Sequence, residues 1–295
     1  MTKTAQMSTE RNSLNWNTIF FVALFHLMAV AAIFTFSWAN LTAAVILWWL
    51  AGSVGIGVGY HRLMTHRGFK VPKWLEYTLS FFGTMALQSG PLTWVTTHRI
   101  HHAFTDNEGD PHSPREGTYW SHMGWIFSGT AQIQSEETMK RYCPDFYDDP
   151  VHQWLNNYYY VPTIVVAVGL LAIGGWTMVV WGVVLRTVVL WHFTWLVNSA
   201  THLWGTRRFE TRDDSRNNGL IAAVTFGEGW HNNHHAFPRS SKHGLRWYEF
   251  DVNWIQIWTL KKLGLAKDVY AYEIENAKPE TIVEAIDLKP LHETS

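Results

Sequence analysis

A single cysteine, Cys143, stands in 295 residues, which excludes an internal disulfide and fits a reducing compartment. Charge is also missing from two long stretches. No Asp, Glu, Lys or Arg occurs between Arg11 and Arg62, and Arg186 is alone between Asp149 and Arg207. The net charge is −1 and no basic run stands out, so nothing points to nucleic acid. Residues 1–12 lack the basic start, short apolar core and small-residue cleavage site of a signal peptide. They are expected to be flexible. There is no internal repeat or low-complexity tract.

The uncharged stretches are apolar. Residues 17–36 and 41–60 are each long enough, at 1.5 Å per residue, to cross roughly 30 Å of hydrocarbon. The short uncharged link from Ser37 to Asn40 makes them a hairpin. A second hairpin is expected from residues 159–178 and 180–203. Neither hairpin tip carries Lys or Arg, whereas the start of the chain and the flanking segments carry nearly all of them. The positive-inside rule then puts both termini and the charged segments in the cytoplasm. The expected fold is an all-α integral membrane domain over residues 13–268. Four transmembrane helices in two hairpins carry a cytosolic helical cap, 61–150 and 206–268, and a tail follows over 269–295. Within the cap, 73–89 reads as a helix along the membrane interface and 253–264 as an amphipathic helix. Eighteen tryptophans suit membrane interfaces and apolar tunnels alike.

Sixteen histidines need a reason. Eight fall in three clusters: His61 and His66; His98, His101 and His102; His231, His234 and His235. In the last two clusters the spacing is i, i+3, i+4, which on a helix shares a face, so the three rings can point at one locus. His61 and His66 are five apart, about 140° around an α-helix. They can converge only if the chain turns there, where the second span ends. Eight imidazoles are too many for one metal, and two metals with four or five ligands each is the simplest division. Imidazole suits iron, zinc, copper and nickel. A site facing hydrocarbon invites a hydrocarbon substrate, and breaking an unactivated C–H bond calls for redox chemistry that zinc lacks. Iron is therefore expected. His26 and His192, alone in apolar stretches, read as packing residues. His112, His122, His152 and His243 read as supporting or surface residues.

At GYHRLMTHR, WVTTHRIHH, Asp110-Pro-His112, Ser121-His-Met-Gly-Trp125, Val197-Asn-Ser-Ala-Thr-His202 and GEGWHNNHHAFP, in this order, the chain resembles the membrane fatty acid desaturases. The similar branch is that of stearoyl-CoA desaturases and bacterial or cyanobacterial acyl-lipid Δ9 desaturases. The resemblance implies that His202 joins the eight clustered histidines as a ninth ligand of two irons, and that Asn198 holds a metal-bound water. It implies that Gln88, Trp94 and Thr194 line the bend of an acyl tunnel. It also implies an O2-dependent reaction, fed by two external electrons, that leaves a cis double bond, at Δ9, in a C16 or C18 chain. The host would be a bacterial inner membrane or a cyanobacterial thylakoid or plasma membrane.

Two further features bear on substrate and partner. Thr96-Thr97 stands where the similar acyl-CoA desaturases of animals carry charged residues that help hold the nucleotide head group, which favours an acyl chain on a membrane lipid. No segment is large enough for a fused cytochrome domain, so a separate donor, with ferredoxin first, is expected to bring electrons. Trp49, about 18 Å along the second span from His61, is a candidate for closing the tunnel's far end. The alternatives are an acyl-CoA desaturase, a hydroxylase on the same scaffold, and a membrane metal transporter. The last predicts ligands strung along a path at mid-membrane.

Overall fold

The computed structural model describes residues 13–129 and 134–274; the expectations for residues 1–12 and for the tail beyond 274 fall outside them. Among the described residues the architecture is helical, with no extended sheet. Helix α1, Trp16–Ala29, starts where the Asn15 side chain accepts from Thr18 N, and it tightens into a 3-10 turn over Val30–Phe34. Ser37 caps α2, Trp38–Trp48, by accepting from Asn40 N. Both caps supply acceptors to amides that have no partner within the helix.

Beyond Trp48 the helix widens into a π-helix, Trp49–Thr65. This changes the relation between His61 and His66. In π winding the hydrogen-bonded turn closes at i+5, and His66 N donates to His61 O at 3.1 Å. The two rings therefore lie one above the other, with centroids 4.8 Å apart. The span ends here as expected, at Thr65 with His66 as its C-cap, and the π winding of its last turns brings the two rings together. Close packing accompanies the wide segment. A Cβ on Gly55 would sit 2.4 Å from Gly83 N, so this π-helical continuation of α2 lies backbone to backbone on α3, Lys73–Thr84.

Helix α4, Pro91–Phe104, begins with Pro at its first position, where a missing amide costs nothing. Helix α5 spans Glu136–Tyr142. Helix α6, Pro150–Asn157, is capped by Asp149, which accepts from Val151 N and His152 N. Next come α7, Val161–Val179, a π-helical turn over Val180–Leu185, and α8, Arg186–Leu203. Three short elements complete the chain: α9, Gly219–Val224; α10, His231–Ala236; and α11, Val252–Lys262.

Among the described residues, three helical stretches are long and apolar enough to cross a membrane: Trp16–Phe34, Trp38–Thr65 and Val161–Leu203. The last has 43 residues, about 64 Å if straight, but it is not one rod. Gly175 has φ 72° and ψ −171°, outside the range of any right-handed helix. Leu170 then lies against Gly182 across the break, so the two halves double back. The break falls at Gly175, before the 178–180 boundary expected from sequence. Large apolar side chains, among them Phe20, Phe21, Leu27, Ile33, Val165, Val168 and Ile173, face outward on these helices.

Candidate metal centre

Nine histidines meet in two groups. His61, His66, His98, His102 and His234 each offer a ring nitrogen, and these nitrogens lie within 4.8 Å of one another. His101, His202, His231 and His235 form a second group by the same measure. The groups adjoin, with the His102 and His235 rings 4.7 Å apart.

The two triplets do not each serve one locus, as their spacing suggested. On α4, His98 and His102 turn to the first group and His101 to the second. On α10, His234 turns to the first, and His231 and His235 to the second. Helical geometry explains this. Position i+4 lies about 40° to one side of i, and i+3 lies about 60° to the other, so a triplet fans over two targets. His202 enters the second group from the last turn of α8.

Carboxylates set the direction of the rings. Asp110 Oδ1 takes the Nδ1 proton of His101 at 3.0 Å, Asp106 Oδ2 that of His202 at 3.0 Å, and Asp213 Oδ2 that of His235 at 3.0 Å. Glu228 pairs with His61 Nδ1 in the same way. With the proton on Nδ1, each Nε2 presents a bare lone pair inward. His231 Nε2 lies 3.0 Å from His202 Nε2, and His234 Nε2 lies 3.1 and 3.0 Å from His61 Nε2 and His102 Nε2. Lone pairs do not attract at that distance. It is the edge length, about 3.0 Å, between neighbouring imidazole ligands held about 2.1 Å from one metal. His66 Nε2 and His235 Nε2 are buried with no hydrogen-bond partner. The donor set and these orphaned atoms fit two divalent metal ions.

The carboxylates are themselves held. Asp110 also accepts from the amides of Asp106 and His112, and Asp106 accepts from Asp214 N at 2.7 Å. Burial alone would raise the Asp110 and Asp213 carboxyls, but the adjoining imidazoles and hydrogen bonds hold both well below the carboxylate range. Burial likewise opposes the charge on Glu228, and Arg62 and His61 overcome it. Arg62 donates to Glu228, to Asp251 and to Ser241 O.

Glu228, Asp106 and Asp213 carry no spacing signal in the sequence, and their roles appear only in three dimensions. His112 and His243 are buried rather than at the surface. The His112 ring stacks on His101 at 4.3 Å, and the His243 ring lies 4.5 Å from His234. His152 is buried beside Glu76 and Asp149, where Lys73 Nζ already lies 2.7 Å from Glu76 and 3.1 Å from Asp149. Burial pushes the Cys143 thiol up to about 11, so it is an inert packing group.

A cavity of about 830 Å³ is lined by His98, His112 and Asn198 and by Trp94, Gln88, Thr194, Trp191 and Val183. The segment after α3 gives Leu87, Gln88 and Ser89 to the same lining, and α8 pins that segment at three points. Arg186 Nη1 donates to Met85 O at 2.6 Å, Trp191 Nε1 donates to Ala86 O at 2.9 Å, and Gln88 Nε2 donates to Thr194 Oγ1 at 3.0 Å. Leu87 and Ser89 there have φ of 51° and 80°, a region costly to side chains other than glycine. Trp49 is not in the lining. It is 39 % exposed, because the helix turns it outward while Trp48 packs inward on Phe226. Thr96 and Thr97 are buried, bonded to Cys143 Sγ and Thr93 O, and Thr97 faces the cavity.

A model of the fatty acid desaturases matches residues 36–254. The chain belongs to the fatty acid desaturase family. It is 48% identical over 257 residues to the "sn-2 palmitoyl-lipid 9-desaturase" of Nostoc sp. (strain 36), covering 87% of this chain and 90% of that one. It is 46% identical over 265 residues to the "sn-1 stearoyl-lipid 9-desaturase" of Anabaena variabilis, covering 89% and 96%. A Synechocystis protein with the same name as the latter is 44% identical, covering 86% and 80%. This desaturase is therefore an oxidoreductase, and its long apolar helices make it a membrane protein.

Two expectations follow from the site. Glu228→Gln should weaken metal binding in the five-histidine group about 10–100-fold, and Asp213→Asn should do so in the four-histidine group. Metal per chain during chelator competition reads this; equal loss from both groups in either variant would refute the division. In the metal-free protein, burial, reinforced by neighbouring imidazoles, holds His98, His102, His231 and His234 far below the usual imidazole range, and His112 at about 3. The unfolded chain binds these protons near pH 6.5, and the folded chain does so only at lower pH. Stability is thus full above about pH 6.5 and falls below it. Tm of the metal-free protein should drop between about pH 7 and pH 5, and a flat profile would contradict this.

Proposed function

We propose that this desaturase introduces a cis double bond at the Δ9 position of a saturated C16 or C18 chain carried on a membrane lipid. One observation carries the reading: a largely apolar cavity of about 830 Å³ reaches the histidine centre at His98, with Asn198 and His112 also in its lining. The nine histidines are taken as ligands of two irons, with Asn198 holding a water at the second. Bound there, the irons would supply O2 reduction coupled to removal of hydrogen from the chain. The chain's own residues do the rest. Four carboxylates keep imidazole lone pairs inward. Gln88, Trp94 and Thr194 hold the bend of the cavity, which fixes the carbons that lie beside the metal groups.

The lipid-linked substrate is favoured by the buried uncharged pair Thr96-Thr97, which offers no cation to a nucleotide, and by the names of the relatives. The break at Gly175 favours counting Val161–Leu203 as two spans, four in all. The histidine groups then sit at the cytoplasmic end of the helices under a cytoplasmic cap, with both termini on that side. The gathering of ligands at helix ends argues against a transport path. A ferredoxin-type protein remains the proposed electron donor. With Trp49 outside the cavity, Val183 is the residue proposed to limit chain length. It lies 15 residues before Asn198 in the sequence, about 22 Å along the helix.

Expression with a ferredoxin system in a host that lacks the activity, followed by mass spectrometry of lipid-bound fatty acids, tests the reading. New Δ9 monoenes are expected. Hydroxy acids, or no new product from metal-loaded protein, would overturn it. In the same assay Val183→Trp should shift products toward shorter chains, and an unchanged profile would remove Val183 from that role.

A further inference from the structure

Outside the nine-histidine centre, three more imidazoles are joined in series. His26 on α1 has Nε2 3.0 Å from His192 Nε2 on α8. His192 Nδ1 lies 3.1 Å from Nε2 of His122, in the turn Trp120–Gly124. His122 Nδ1 lies 3.1 Å from Ser199 Oγ. At the other end, Val22 O lies 2.7 Å from His26 Nδ1. A carbonyl only accepts, so His26 carries its proton on Nδ1 and accepts on Nε2. His192 must then donate from Nε2 and accept on Nδ1. His122 must do the same, and Ser199 donates into it. One tautomer at each ring satisfies every bond, an assignment that rests on the network.

A second arrangement satisfies them equally. Ser199 Oγ has an alternative acceptor, Trp195 O, at 2.8 Å. With one added proton, His192 donates on both sides. His122 then donates from Nδ1 to Ser199, and the Ser199 hydroxyl turns to Trp195 O. The chain therefore holds either no extra proton or one, without losing a bond. The titratable groups facing His192 are His26 and His122, and His122 faces no charged group. The remaining neighbours are aromatic: Trp195 lies 5.1 Å from His192 and 5.7 Å from His122, and Trp191 lies 6.3 Å from His26. Ionisable groups within apolar spans are costly, and their common use is to move protons. The packing role expected for His26 and His192 accounts for none of this order.

We propose that His26, His192 and His122 store one proton and release it through Ser199 toward the cavity, as a supply for O2 reduction. This rests on the desaturase reading. The balance is –CH2–CH2– + O2 + 2e⁻ + 2H⁺ → –CH=CH– + 2H2O, with the electrons from a separate redox protein. On release, the Ser199 hydroxyl turns from Trp195 O and gives its proton to a water on the cavity side, which leaves as hydronium, while His122 Nδ1 gives its proton to Ser199 Oγ and His192 Nδ1 gives its own to His122 Nε2. The serine ends neutral, and the three rings together lose one positive charge. Ser199 adjoins Asn198, which lines the cavity beside His98 and His112.

The metal-free protein, labelled with 15N-histidine and assigned with H26N, H122N and H192N, tests the chain by NMR. An Nδ1–H tautomer at His26, Nε2–H at His192 and His122, and joint uptake of one proton by the three rings are expected. Other tautomers, independent titration of the three rings, or no titration would overturn the proposal. In the loaded enzyme, H192N keeps a hydrogen-bonding side chain but cannot hold the proton. It should retain two metals per chain, the same product and the same KM, with kcat about tenfold lower and a larger solvent isotope effect. Unchanged kcat and isotope effect would also overturn it. If the unsubstituted, metal-loaded enzyme forms no double bond, the desaturase reading fails, and the NMR result still judges the chain.

Discussion

Glu228 accepts from His61 through one oxygen and from Arg62 through the other, and the rest of the centre is organised around that carboxylate. Arg62 reaches Asp251 as well, which caps α11 by accepting from Trp254 N. Asn253 on α11 donates back to Glu228 at 2.6 Å. A single buried network thus joins the end of α2, the segment before α10 and the start of α11. An arginine and two carboxylates out of water are tolerable only while all are paired, and removing one partner from such a group costs about 3–5 kcal/mol. The same bonds that hold α11 and the segment before α10 against that helix hold the His61 ring at its angle. Ligand geometry and the attachment of these segments are therefore not separable.

The second histidine group has the same logic with different parts. Asp106 and Asp110 belong to the segment after α4, and Asp213 to the loop after α8. Each is fixed by backbone amides as well as by its imidazole. Helices α4 and α10 present their triplets in opposite sense, two rings and one against one and two. Two short helical faces can therefore serve two adjacent metals without a bridging side chain between them.

Much of this was legible beforehand. The apolar runs, the histidine spacings and the place of His202 pointed to helices and to the residues that gather. Three things were not legible, each for a physical reason. The π winding of Trp49–Thr65 goes with the close approach of Gly55 to Gly83, a contact between segments that helical periodicity does not register. The carboxylates Asp106, Asp213 and Glu228 look like any surface acid until folding buries them. Trp49 was misread because a position along a helix gives depth but not azimuth, and its ring points away from the cavity.

Helix α8 carries His202 and Asn198 near one end, and Thr194, Trp191 and Arg186 further along it pin the segment after α3. On the proposed function, the metal-side end and the bend of the acyl chain would be marks on one rod, graduated at about 1.5 Å per residue. That interval is close to the advance of one methylene along an extended chain. The substrate would then be measured against a single helix, and a change of regiochemistry would ask for marks moved along one rod, with no new catalytic machinery.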